Sequence, residues 1–237
     1  GNAQGGAGAC SLIYNFGQRP FSYTPPSGFK SLCTSNLPNS TILKGNQYMD
    51  VNVWAGNGTA GTNISTSASF KPDFVWIKNR SSGSAYHNLY DTTRGANIML
   101  VSNTQDADQN LSNRLTAFTS TGYTLGSHAD VNASGSNYVG WQWKANGGTT
   151  SSNTSGSMTS TVQANTSAGF SIITYTGNGV ANATVGHGLG VQPNLIIVKQ
   201  RTGNADNWAV SVKLSNLTIN RMYLNSNIAD NGLDWVG

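Results

Sequence analysis

Residues 70–80 read FKPDFVWIKNR, and residues 191–201 read VQPNLIIVKQR. Pro72 answers to Pro193, Lys78 to Lys199 and Arg80 to Arg201, each pair 121 residues apart. Gly56-Asn57-Gly58 returns at the same spacing as Gly177-Asn178-Gly179. From 56 to 80 the alignment needs no gap, and 7 of 25 positions are identical, with Val75/Ile196 and Ile77/Val198 conservative. A period this long describes two tandem copies of one domain, not stacked short repeats. Residues 74–78 are apolar on both faces, which predicts a central strand buried on both sides. Residues 195–198 carry the same expectation. Pro72 stands just before the strand, where a missing N–H does least harm.

Working outward, copy one is expected over residues 48–145. Met49, Val51 and Val53 alternate with Asp50, Asn52 and Trp54, as in a strand, and Gly56-Asn57-Gly58 is a turn. Short strands follow at 89–94 and 98–102. Residues 103–116 are polar, with Leu111 and Leu115 at helical spacing; a short helix and a loop with leucine pegs both fit. TGYTLG at 121–126 is a strand and turn. NYVGWQWK at 137–144 places Val139, Trp141 and Trp143 on one face, which is expected to pack in the core. Tyr138, Gly140, Gln142 and Lys144 share the other. Residues 146–168 are Ser, Thr, Asn and Gly in low complexity, the composition of a flexible linker. Copy two is expected over 169–237, opening with the alternation of Phe170, Ile172 and Thr174. LNSN at 224–227 answers to LVSN at 100–103. Nothing in copy two answers to residues 115–145, so its sandwich is expected to be truncated and to show an open edge. Either the chain is a piece of a longer protein, which is the preferred reading, or a neighbouring subunit adds the strand. Short strands separated by Gly and Asn turns, with no convincing ten-residue amphipathic helix, predict an all-β chain of tandem antiparallel β-sandwich domains, jelly-roll or concanavalin-like.

Composition narrows the function. Charged residues are 9% of the chain, against the roughly 25% usual in soluble domains. Disorder is argued against by a net charge of only +4 and by six Trp, nine Tyr and seven Phe spread along the sequence. No Lys/Arg run exists to mark a nucleic-acid footprint, and no apolar run is long enough to insert in a membrane. With no initiator Met or signal peptide, the chain reads as a processed or excised piece. Residues 1–9 read as a loop and 39–47 as a linker. Between them, residues 10–38 hold a strand-like alternation of Leu12, Tyr14 and Phe16. Cys10 and Cys33 suit either a disulfide across two neighbouring strands or two buried thiols; two cysteines alone do not make a metal site.

Two resemblances follow. Asn15-Phe16-Gly17, Pro20-Phe21 and Pro25-Pro26-Ser27-Gly28-Phe29 make residues 1–38 resemble a remnant of the C-terminal end of a SPRY domain. Copy one is similar to an uncharacterised domain of large virion proteins of marine bacteriophages, especially cyanophages. The residues that carry this are Gly56-Asn57-Gly58, the 70–80 stretch, Asp91 with Arg94-Gly95-Ala96, Leu100 with Ser102-Asn103, residues 122–126, Asn132, Gly135, and Tyr138-Val139 with residues 141–145. The resemblance implies a lectin-like sandwich in a tail fibre or similar appendage of the virion. It also implies other virion subunits as partners, and no catalytic residue. Copy two departs from it, with Ile197 where copy one has Trp76 and Asn194 where it has Asp73.

In so uncharged a chain, Arg80 and Arg94 stand out. Each reads as a structural ion pair with Asp73 or Asp91, or as a grip on an acidic sugar. Trp54, Tyr86 and Trp208 stand at or near turns and are candidates for stacking on sugar rings. His87, His128 and His187 lie in no metal-ligand motif, and Asp130, Asn132 and Asn137 lack calcium-loop spacing. No cofactor, metal or catalytic residue is expected. A hydrolase would require Asp73 and Asp91 to form a carboxylate pair at a set separation. The leading expectation is a host-recognition and structural module of a virion, homo-oligomeric, holding a surface glycan by multivalency. The alternatives are a self-assembling extracellular filament or surface layer without ligand and, weaker, a carbohydrate-active enzyme.

Overall fold

The computed structural model describes residues 19–30, 36, 42–203, 206–214, 217–218 and 222–227. Cys10, Cys33 and the strand expected around residues 12–16 lie outside the described residues. The chain divides into a unit Gly1–Leu43 and a unit Lys44–Gly237. In the first, the Pro-Pro-Ser-Gly stretch makes a tight turn, with Phe29 N–H donating to the Pro26 carbonyl at 3.0 Å.

The second unit is almost wholly β. Its strands are β1 (Met49–Ala55), β2 (Thr62–Ser65), β3 (Phe74–Asn79), β4 (His87–Asp91), β5 (Gly95–Val101), β6 (Gln109–Asn110), β7 (Leu115–Thr119) and β8 (Gly122–Leu125). A one-turn helix α1 (Ala129–Asn132) precedes β9 (Asn137–Trp143). Then come β10 (Ser151–Asn153), β11 (Ser160–Asn165), β12 (Phe170–Tyr175), β13 (Leu195–Val198), β14 (Ala209–Leu214), β15 (Leu217–Thr218) and β16 (Met222–Tyr223). Residues 103–116 take the loop alternative, with Leu111 pegged against the core and Leu115 fully buried at the start of β7.

Copy one is a β-sandwich. A six-stranded antiparallel sheet, in the order β1-β9-β3-β4-β5-β6, faces a three-stranded sheet, β2-β8-β7. Between them pack Val75, Ile77, Tyr90, Met99 and Val101 from one layer and Leu115, Tyr123 and Leu125 from the other. The repeated Gly-Asn-Gly has a mechanical reason. A Cβ on Gly56 would stand 2.2 Å from the Ala133 carbonyl oxygen. Beside it, the buried Asn132 amide donates to Thr59 O at 2.9 Å and Gly126 O at 3.1 Å, and its Oδ1 accepts from Asn57 N–H at 3.1 Å. The turn is thereby tied to the segment just before β9.

Copy two repeats half of this. β12 and β13 start 121 residues after β1 and β3, and β14 and β16 stand where β4 and β5 stand in copy one. Its turn is built alike: Asn178 Oδ1 accepts from Val180 N–H at 3.0 Å, as Asn57 Oδ1 does from Thr59 N–H at 2.8 Å. Among the described residues no strand answers to β7, β8 or β9.

Three expectations need correction. Residues 146–168 are not a linker, because they carry β10 and β11, which with β12 form a sheet in the order β10-β11-β12. Their polar side chains find buried partners. Gln163, fully buried, accepts from Asn146 and Gly148 N–H and donates to the hydroxyls of Thr92 and Thr93. The 48–145 and 169–237 copies are therefore not separated by a spacer, and both belong to one unit. Second, residues 195–198 are not buried. Leu195 is 56% exposed, and Ile196 is 40% exposed where its counterpart Val75 is 0%. The sequence pattern is that of a core strand, but among the described residues no second sheet covers it. Third, the core face of β9 is Tyr138, Gly140 and Gln142, and Val139, Trp141 and Trp143 lie on the opposite face, half-buried.

Candidate aromatic binding site

The third correction creates the site. β9 lies between β1 and β3, so Val51, Trp141 and Trp76 stand in one cross-strand row. The next row toward the β12 side is Met49, Trp143 and Phe74. All of these point away from the sandwich core. Gly140 fixes this orientation: a Cβ there would meet the Tyr123 hydroxyl at 2.5 Å and the Trp54 ring at 3.1 Å. The core needs its smallest residue at that position, so the bulky partners of the alternation go outside.

Part of this outer apolar face is covered by copy two. Trp208 is 5% exposed, packs with Leu89, Leu100, Phe74 and Trp76, and donates its Nε1–H to Val101 O at 2.8 Å. Phe170 stacks on Trp143, with centroids 6.2 Å apart and planes at 23°. Among the described residues the rest is left as a cleft of about 310 Å³ lined by Trp76, His87, Trp141 and Trp143. Trp76 and Trp141 meet edge to face at 72°. Val51 and Val53, exposed on β1, extend the apolar surface. Trp76 Nε1–H donates to His87 Nδ1 at 3.2 Å. That contact leaves Nε2 as the imidazole's own donor. Burial, and then the Lys78 ammonium, hold the His87 pKa below its ordinary value, so the ring is neutral near pH 7.

The five residues expected to bind ligand fare differently. Trp54 is on the core face, stacked on Tyr138 at 5.5 Å with Nε1–H donating to Val131 O. Trp208 is buried between the copies. Arg94 is a buried structural cation, paired with Asp91 at 2.5 Å and donating to Ile98 O and Leu89 O. Tyr86 is exposed beside His87, and Arg80 is exposed just past β3. The structure therefore places three of the five in structural roles and two on the surface. Trp76, Trp141 and Trp143, which line the cleft, were not among them. The signal that points to them is the glycine in β9, which marks the crowded side of the strand.

The other candidate groups are engaged. Asp73 accepts from Ala145 and Gly147 N–H and from the Thr92 hydroxyl, while Asp91 holds Arg94. Asp130 pairs with Arg114 at 2.8 Å, and Asn132 and Asn137 lie in turn hydrogen bonds, not around an open oxygen cage. His128 caps α1 by accepting from Asp130 N–H, and His187 Nδ1 accepts from Leu189 N–H. Among the described residues no cluster of three His, Cys, Asp or Glu suits a metal, and no helix is long and apolar enough to cross a membrane.

Fold and site define an all-β sandwich protein with an aromatic cleft on the outer face of its larger sheet. The chain belongs to a family described as a domain of unknown function, DUF7483, whose model matches residues 44–234 and so spans both copies and the strands between them. No curated protein and no solved structure gives a significant match to the chain.

Proposed function

We propose that this chain is a glycan-binding structural module of a phage virion appendage. The observation that carries the binding half is the convergence of Trp76, Trp141 and Trp143 with a neutral His87 on an uncovered part of the sheet. Sugar rings present apolar C–H faces that stack on indoles, and a few placed donors supply orientation. The cleft offers broad apolar walls and one imidazole, an arrangement suited to a neutral sugar held weakly. An acidic sugar is less suited, because Arg94 is occupied by Asp91. Trp76 has Ile197 at its counterpart in copy two, so the described residues form one such cleft. Avidity then comes from several chains in an assembly, by multivalency.

Binding, not catalysis, suits a site lined by no carboxylate. The virion setting, and the homo-oligomer and fellow virion subunits it implies, rest on the sequence resemblance of residues 56–145. The test is a titration of the purified chain against a panel of neutral bacterial-surface oligosaccharides, read by saturation-transfer NMR and tryptophan fluorescence. Trp141→Ala is expected to weaken binding about tenfold, corresponding to about 1.4 kcal/mol for a lost stacking platform. No binding across the panel, or an unchanged affinity in Trp141→Ala, overturns the proposal.

A further inference from the structure

A second cleft, of about 570 Å³, lies between the end of β10 and the loop that leads into β13. Asn153, Ser155, His187 and Gln192 give it polar walls, and Val185 and Val191 apolar ones. The loop reads VGHGLG at 185–190, and its glycines let it press on the β10-β11-β12 sheet. A Cβ on Gly186 would stand 2.1 Å from Asn153 Oδ1, and one on Gly188, where φ is +72°, would stand 2.9 Å from Val162 Cγ1. Hydrogen bonding within the protein uses up the acceptors of this wall. Asn153 Oδ1 accepts from Ser155 N–H at 2.9 Å, His187 Nδ1 from Leu189 N–H at 3.2 Å, and Gln192 Oε1 from the Lys213 ammonium. What remains on these side chains is donors: the amide N–H groups of Asn153 and Gln192, and His187 Nε2–H. Two loop carbonyls are likewise taken, Gly186 O by Ser160 Oγ at 2.8 Å and His187 O by Ser171 Oγ at 2.7 Å. Among the described residues no carboxylate lines the cleft.

A second, independent observation comes from copy one, where the matching loop holds a carboxylate of the chain itself. Asp50 accepts from Ser67 N–H at 2.6 Å and from the Ser67 hydroxyl at 3.0 Å. The 121-residue correspondence places Gly188 at Ser67 and Ser171 at Asp50. Copy two thus has a neutral hydroxyl where copy one has the carboxylate, and that hydroxyl is given to His187 O. A donor-rich loop without its internal anion calls for an acceptor from outside, and hydrogen bonds to an ionised acceptor are about twice as strong as neutral ones.

We propose that this cleft binds an acidic saccharide by its carboxylate or phosphate group. The oxyanion accepts from Asn153, His187 and Gln192, and the Lys213 ammonium beside Gln192 adds a favourable charge. The cleft is larger than an inorganic ion requires, and Val185 and Val191 offer apolar contact to the C–H face of a sugar ring. The site is separate from the aromatic cleft, whose walls suit a neutral sugar, and it does not depend on what that cleft binds.

The test titrates the whole ¹⁵N-labelled chain with glucuronate, glucose 6-phosphate and neutral glucose at constant ionic strength, read by the amide signals of Gly186, Gly188 and Gly190. Saturable shifts with glucuronate or glucose 6-phosphate, and none with glucose, are the expected result; the stronger of the two identifies the group as carboxylate or phosphate. Two variants locate the oxyanion. Asn153→Asp keeps the acceptor for Ser155 N–H and sets a negative charge in the cleft. Ser171→Asp restores the carboxylate of copy one, so that the loop is filled from within. Each is expected to weaken binding of the anion about tenfold or more, with circular dichroism like that of the native chain. Three results overturn the proposal: no saturable shift in the native chain with either anion, equal shifts with glucose, or an unchanged affinity in either variant. Shifts confined to the indole signals of Trp141 and Trp143 overturn it as well, because the anion is then in the aromatic cleft.

Discussion

Trp208→Ala probes how copy two is held to copy one. The indole is 5% exposed, lies on Leu89, Leu100, Phe74 and Trp76, and gives its one N–H to the buried Val101 carbonyl. Truncating a buried Trp costs about 3–5 kcal/mol in lost contact and cavity, and leaving a buried carbonyl unpaired adds about 1 kcal/mol. A total near 4 kcal/mol raises the population of an undocked copy two about a thousandfold. Native-state proteolysis reads this population when opening and closing are fast relative to cleavage. Cleavage of Trp208→Ala is expected to concentrate in residues 199–227, while the sandwich core around Val75 and Tyr138 stays protected. Trp208→Phe keeps most of the apolar contact and loses the hydrogen bond, so it should cost about 1–2 kcal/mol. If cleavage of Trp208→Ala rises by less than about threefold, the indole is not a docking element and its role in a ligand surface must be reopened.

Two further outcomes are expected. Gly56→Ala should destabilise the chain by about 1–3 kcal/mol, since its methyl overlaps the Ala133 carbonyl, whereas Gly177→Ala should stay within about 0.5 kcal/mol; urea denaturation of the pair compares them directly. Because the His87 pKa is lowered in the fold, its contribution to stability is complete above the unfolded value near 6.5 and is lost as pH falls through the lowered folded value. Protonation puts a hydrogen on Nδ1, breaks the bond from Trp76, and should appear as a tryptophan fluorescence transition below pH 6.5 that is absent in His87→Gln.

The all-β class, the 121-residue duplication and the positions of β1, β3, β12 and β13 were legible in the sequence. Period-2 alternation and Gly-Asn turns are local properties, and a backbone that repeats its turn chemistry repeats its strands.

Which face of a strand is inside was not. Alternation separates Trp141 and Trp143 from Tyr138 and Gln142, but counting apolar side chains assigned the wrong set to the core. Only tertiary packing, with Tyr123 of the opposite sheet and Trp54 of the neighbouring β1 crowding Gly140, decides the matter. Composition likewise misread residues 146–168. A Ser/Thr/Asn-rich segment is a linker in isolation and becomes a sheet when Gln163 reaches the threonines at 92 and 93. The run at 195–198 shows the converse, a core sequence left exposed because burial depends on what is packed against a strand and not on the strand itself. The sequence by itself thus determined the strands, the turns and the duplication, which are set by neighbouring residues. Tertiary structure alone decided the faces, the docking of the copies and the aromatic cleft, which depend on contacts between residues far apart in the chain.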